Sequence, residues 1–360
     1  MENYNDLDQV CFDDEALNIL KKRQDEALAK DIRRQFLAQW SPAEIQRALD
    51  SRVLGQPEVT AAVADFLHYH VLRQVCPQLK PRPILISGPS GCGKTEVFRA
   101  AEELFHRYLS IRIIDGSMLS GDGWAGNYKL SDSITEDFAN GGILVIDEFD
   151  KLAAPCYTSH GTNASASIQS QLLKLLEGEL IKTDKGGSNP VPTERMGIAL
   201  VGAFEGIGLQ RERAEEEEER RATCRGVGFL AEPSKAKIFR ETPEDYQEAE
   251  FIRFGVLPEI MSRISVCCTA RLLSMDVYRE MIFLPTSRVS MLLEVLQSQG
   301  IAAESEISDR ELRALIVRSM KDHTGARWVS AQVEKRILDS LRDVHMNFIE
   351  PEILPGKERA

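Results

Sequence analysis

Five short apolar runs, at residues 84–87, 111–115, 143–146, 198–201 and 264–269, punctuate the middle of the chain, and stretches of helical periodicity separate most of them. Short strands alternating with helices predict a mostly parallel five-stranded sheet covered by helices. Ahead of these runs, residues 14–37 are rich in Ala, Leu, Lys, Glu and Arg, with Leu17, Leu20, Leu28, Ile32 and Phe36 roughly at helical spacings. This predicts one or two exposed amphipathic helices. Ser41-Pro42-Ala43-Glu44 reads as the start of another helix, with Ser41 as cap, Pro42 at the first helical position and Glu44 closing a capping box. Between the fourth and fifth runs, residues 210–253 are acidic and irregular, as expected of a solvated face. Beyond Leu272 the periodicity is helical only: Leu312, Leu315 and Ile316 mark one apolar stripe, and Val329, Val333, Ile337, Leu341 and Val344 another. The expected organisation is an α/β protein with a helical extension over 1–40, a large domain over 41–271 and a small α-rich domain over 272–360.

Composition narrows the function classes. At 360 residues and 43% apolar content the chain can bury more than one core. Its net charge of −12 makes a sequence-independent grip on nucleic acid unexpected and favours protein or small-molecule partners. No apolar stretch is long enough to cross a bilayer, and residues 1–9 are acidic and polar rather than a basic leader, so a cytoplasmic protein is expected. The seven cysteines have no C-x-x-C spacing, which argues against zinc and against a disulfide framework. The histidines show no ligand spacing either, so the only metal expected is the Mg²⁺ that a nucleotide brings.

Two motifs carry chemistry. Gly88-Pro89-Ser90-Gly91-Cys92-Gly93-Lys94-Thr95 fits G-x-x-x-x-G-K-S/T, directly after an apolar strand and before a helical segment. In that context the glycines let backbone N–H groups close around phosphate oxygens, and the helix adds its positive end. Lys94 is expected to neutralise the β and γ phosphates of ATP, and Thr95 to hold Mg²⁺. About fifty residues on, Ile143-Leu144-Val145-Ile146 ends in Asp147-Glu148, the Walker B arrangement. Asp147 is the expected metal ligand, and Glu148 the base that polarises the attacking water.

With these motifs in place the sequence resembles the AAA+ unfoldases ClpX and HslU, and ClpX more closely, from about Ser41 to Val344. Ser41-Pro42-Ala43-Glu44-Ile45 and Val53-Leu54-Gly55-Gln56 resemble the opening helix and V-I-G-Q box of ClpX. The resemblance implies that Val53 and Leu54 lie beside adenine. Ile146-Asp147-Glu148-Phe149-Asp150-Lys151 resembles I-D-E-I-D-K, residues 171–178 resemble A-L-L-K-L-I-E-G, and Gly202-Ala203-Phe204 matches G-A-F. Residues 255–263 are similar to G-L-I-P-E-F-I-G-R, which makes Arg263 the candidate arginine finger for the neighbouring subunit. Thr324-Gly325-Ala326-Arg327 resembles the sensor-2 box, with Arg327 reaching phosphate in its own subunit.

The fold implied is an AAA+ P-loop NTPase domain with a small lid, assembled as a ring that is hexameric in the family. Gly123-Trp124-Ala125-Gly126 stands where the family has a substrate-gripping pore loop, G-Y-V-G; the other reading of Trp124 is a core residue. Val227-Gly228-Phe229 resembles the loop that docks on the peptidase ClpP; a locally packed turn is the alternative. Departures are also visible. No counterpart of the family's amino-terminal zinc domain is expected, since the cysteines lack its spacing, and residues 160–165 lack the second-pore-loop pattern R-D-V-S-G. The function implied is ATP-driven unfolding of protein substrates by threading, with delivery to a ClpP-type peptidase, remodelling without proteolysis, or nucleotide-switched assembly as the competing outcomes.

Overall fold

The computed structural model describes residues 14–119, 129–154, 163–181, 191–207, 246–284, 287–301, 307–322 and 324–341. The seven strands among them are β1 (Ile84–Ser87), β2 (Ile111–Asp115), β3 (Ile143–Asp147), β4 (Leu180–Ile181), β5 (Val191–Pro192), β6 (Gly197–Val201) and β7 (Val266–Thr269). Five of them form one sheet in the order β2-β3-β6-β1-β7, every pair parallel. β4 and β5 make a separate antiparallel ribbon that the sequence pattern did not suggest.

Both faces of the sheet are covered, which is why its strands read as unbroken apolar runs rather than alternating ones. Ile84, Ile86, Ile143, Val145, Ala199 and Val201 point to one face and share a core with α1 (Asp14–Gln39), α2 (Pro42–Asp50), α3 (Pro57–Val75) and α4 (Lys94–Phe105). Leu85, Leu144, Ile146, Ile198 and Leu200 point to the other face. There they meet α5 (Glu136–Ala139), α6 (Phe149–Ala153), α7 (Ala164–Glu177), α8 (Glu248–Phe254) and α9 (Pro258–Met261). A third cluster, from Leu273 to Leu341, belongs to α10 (Met275–Ile282), α11 (Arg288–Ser298), α12 (Asp309–Lys321) and α13 (Gly325–Asp339).

α2 starts as expected: Ser41 caps Glu44 N–H, and the Glu44 carboxylate returns to the Ser41 backbone. Three expectations need correction. α1 is one helix, within the one or two expected, but its end is not exposed: Phe36 is fully buried edge-on against Phe105, where Trp40 also packs. Part of the stretch expected to be irregular, Glu248–Phe254, is helical, because Gln247 and Glu250 form a capping box and Phe251 is buried. β7 starts at Val266 rather than at residue 264, since Ile264 N–H still bonds to Ile260 C=O and completes the turn after α9.

Candidate active site

A cleft of about 510 Å³ opens at the carboxyl ends of the central strands, the usual ligand position in an open α/β sheet. The loop from Gly88 to Gly93 lines it from Ser90 onward and leads straight into α4. Two of its glycines are obligatory. Gly88 has φ +130°, and a Cβ there would lie 2.4 Å from Ala270 O; Gly91 has φ +73°, and its Cβ would lie 2.6 Å from Gly325 Cα. α4 has no side-chain cap, so its first N–H groups remain available to an anion.

Lys94 is buried with its ammonium held inside the loop, donating to Gly88 O at 2.7 Å and Pro89 O at 2.6 Å. Thr95 Oγ1 donates to Asp147 Oδ2 at 2.8 Å, bringing the end of β3 to the start of α4. A hydroxyl and a carboxylate brought together beside a phosphate loop are hard oxygen donors, the chemistry that suits Mg²⁺. Cys92 is buried, and burial pushes its thiol pKa up, so it serves packing rather than reactivity.

Glu148 joins β3 to α6 with φ 53°, a left-handed conformation rare for a residue with a side chain, and its N–H bonds to Asp147 Oδ1 at 2.9 Å. Its carboxyl is pushed above the ordinary range, first by burial and then by the charges of Asp115 and Asp147. Asp115 is there because it stands opposite Asp147 in the β2–β3 register. Behind Glu148, the buried Asp150 accepts from Ala203 N–H at 3.1 Å, tying α6 to the exit of β6.

The far wall of the cleft comes from the helical cluster. Met281, Leu284, Thr324, Ala326, Arg327 and Ser330 face Val53, Leu54, the phosphate loop, Asp147 and Glu148. Gln56 stitches this region together: Nε2 donates to Cys92 O at 3.0 Å and Arg271 O at 2.7 Å, and Oε1 accepts from Arg271 N–H at 3.0 Å. Arg263 is placed differently. It is outside the wall of its own cleft, donating to Glu259 O at 2.6 Å and paired with the Glu177 carboxylate at the end of α7. Gly123, Trp124, Ala125 and Gly126, and Val227, Gly228 and Phe229, lie outside the described residues.

Residues 80–267, which include the phosphate loop and the Walker B strand, match the family described as AAA domain (Cdc48 subfamily). The chain belongs to the AAA family. Among curated proteins, this AAA chain is 27% identical over 325 residues to the ATP-dependent Clp protease ATP-binding subunit ClpX of Porphyromonas gingivalis, covering 83% of the chain and 77% of that protein. The same subunit of Bacteroides thetaiotaomicron is 26% identical over 335 residues, and that of Bacteroides fragilis 25%. In each of those two, 84% of the chain aligns with 77% of the relative. The protein is thus a ClpX-like AAA+ ATPase with an α/β P-loop fold. Among the described residues no helix is long and apolar enough to cross a membrane.

Sequence reasoning gave no role to Asp115, Asp150 or Gln169. Asp115 had a readable signal, because two apolar runs each end in Asp and parallel pairing can place such ends side by side. Gln169 had none.

Proposed function

We propose that this AAA ATPase is a protein unfoldase or remodeller that works as a ring, hexameric as in the resembling family, and draws substrate polypeptide through a central pore. Lys94 binds the β and γ phosphates, Glu148 orients and deprotonates the attacking water, and Val53 and Leu54 lie against the base. Mg²⁺ arriving with ATP would be held by Thr95 and Asp147, and would neutralise phosphate charge. Arg327 reads the nucleotide from the small domain, residues 272–360, so that hydrolysis moves that domain. The observation that carries the ring is Arg263: its segment is firmly packed, yet the guanidinium lies outside its own cleft, which suits action on a neighbour's γ-phosphate. A gripping loop at Gly123 to Gly126 turns ring motion into traction.

The first test is a pair of variants. Lys94→Ala abolishes nucleotide binding, whereas Glu148→Gln retains it and stops hydrolysis, because one residue neutralises phosphate and the other serves only the chemical step. Fluorescent-nucleotide titration and phosphate release measure the two. Glu148→Gln, isolated from cells, then holds its substrates in the pore; a variant that captures no polypeptide, from a parent whose ATPase does not respond to unfolded protein, would remove the unfoldase reading. Pull-down with a ClpP-type peptidase, with and without Val227 and Phe229, decides between delivery and release.

A further inference from the structure

We propose that Gln169 is a positioning residue for Arg263: from the middle of α7 it fixes the segment that presents the arginine and links that segment to the helix following Glu148. The inference rests on the reading that Arg263 acts in a neighbouring subunit's site.

Gln169 is only 2% exposed and uses its whole amide. Nε2 donates to Leu152 O at 3.1 Å and to Gly255 O at 3.0 Å, while Oε1 accepts from Leu257 N–H at 2.9 Å. Among the described residues, no main-chain group pairs with any of the three partners. Leu152 is in the last turn of α6, a helix of five residues whose terminal carbonyls lack successors, and α6 begins immediately after Glu148. Gly255 and Leu257 bracket the break between α8 and α9, where Gly255 takes φ +126° and Leu257 caps α9. One buried amide therefore clamps the turn behind the general base to the turn that launches α9.

From Leu257 to Arg263 there is little slack. Ile260 and Met261 of α9 are buried in the core, and Arg263 N–H bonds back to Ile260 O. α7 reaches the arginine a second time, since its last residue, Glu177, pairs with the Arg263 guanidinium. α7 thus supports Arg263 twice: the Gln169 side chain holds the main chain that leads to it, and Glu177 pairs with its guanidinium. A finger acting in a neighbour's site gains nothing from flexibility. Catalysis by a placed charge depends on its geometry before the reaction, and a misplacement of about 1 Å costs about a hundredfold in rate.

The chemistry of the amide decides the variant. Gln169→Glu keeps size and shape and can still accept from Leu257 N–H, but it turns the two-carbonyl side from donor to acceptor. The clamp is lost while the phosphate loop, Asp147 and Glu148 keep their residues. Gln169→Glu is expected to bind nucleotide close to parental affinity and to assemble, with ATP turnover reduced toward that of Arg263→Ala.

The decisive measurement is turnover in mixed rings with Glu148→Gln subunits. Those subunits cannot hydrolyse, but they carry a clamped arginine; placed beside Gln169→Glu subunits, whose phosphate loop, Asp147 and Glu148 are unsubstituted, they are expected to restore hydrolysis. A purely structural defect in the nucleotide site would not be mended by a neighbour. Rings of Arg263→Ala with Glu148→Gln serve as the reference. Recovery in both mixtures supports the assignment. Recovery with Arg263→Ala but not with Gln169→Glu overturns the role of Gln169 alone, and recovery in neither overturns the trans action of Arg263 on which it depends. If Gln169→Glu does not fold, Gln169→Asn, neutral but one methylene too short for all three bonds, enters the same comparison with the same outcomes.

Discussion

At Glu148, strand register sets the charge around a carboxylate. β2 and β3 pair so that Asp115 sits opposite Asp147, and the left-handed turn at Glu148 brings a third carboxylate beside them. Burial first, then Asp115 and Asp147, raise the Glu148 pKa, while Lys151 opposes them. If Glu148 is the general base proposed above, it must be ionised, and turnover is expected to fall as pH drops through this raised pKa, above the 4.5 of an ordinary glutamate. Asp115→Asn removes one repelling charge and lowers that pKa. Its Oδ1 can still accept from Ser117 N–H, as Asp115 does at 2.8 Å. The expected result is an acid limb of the kcat profile displaced to lower pH relative to the parent; an unmoved limb would mean that Asp115 does not set the base.

Beside the apolar cores, polar side chains reaching main-chain groups tie elements together. α3 is the clearest case, because three of its last residues hold the amino-terminal ends of β3 and β6. His70 Nε2 lies 2.8 Å from Gly141 O; Arg73 donates to Glu194 O at 2.5 Å and Met196 O at 2.7 Å; Gln74 Nε2 donates to Arg195 O at 2.6 Å. His70 is fully enclosed, and burial, aided by nearby Arg73, Arg33 and Arg195 and opposed by the bond to Gly141, holds its pKa down at about 3. The folded protein therefore keeps His70 neutral while the unfolded chain protonates it near 6.5. With the folded pKa depressed, stability is full above about pH 6.5 and declines as pH falls toward 3, at up to about 1.4 kcal/mol per pH unit from this group. Urea unfolding at pH 7 and pH 5 should show the loss, and His70→Gln, which cannot ionise, should show a smaller one between the same pH values. Equal losses would assign the effect to other groups.

At the scale of the whole molecule the question is whether ATP turnover becomes traction on a polypeptide, and Trp124 separates the possibilities. If Gly123-Trp124-Ala125-Gly126 grips substrate, Trp124→Ala hydrolyses ATP near the parental rate and fails to unfold a stable tagged protein. Trp124→Tyr recovers much of the unfolding, since a phenol ring offers similar apolar contact. A core tryptophan behaves otherwise. Its loss costs about 3 to 5 kcal/mol, so melting temperature and ATPase fall together. Melting, ATPase and unfolding measured on one preparation distinguish the two, and a proportional decline of all three would sink the pore-loop assignment.

The sequence alone determined the parallel α/β plan, the phosphate loop and the Asp147-Glu148 pair, because each is written in neighbouring residues. Buried strands covered on both faces must be apolar throughout, Gly88 and Gly91 take positive φ values within the loop itself, and Lys94 and Thr95 need only begin the helix that follows. Tertiary structure decided what depends on distant segments. It brought Arg327 across to Asp147 and Glu148, set Asp115 opposite Asp147, closed Gln56 onto Arg271, and gave Gln169 partners in both Leu152 and the Gly255–Leu257 turn. No periodicity announces such contacts. A glutamine in a helix reads as surface until packing has excluded water around it, and only then does each unpaired N–H and C=O nearby require the partner that it supplies.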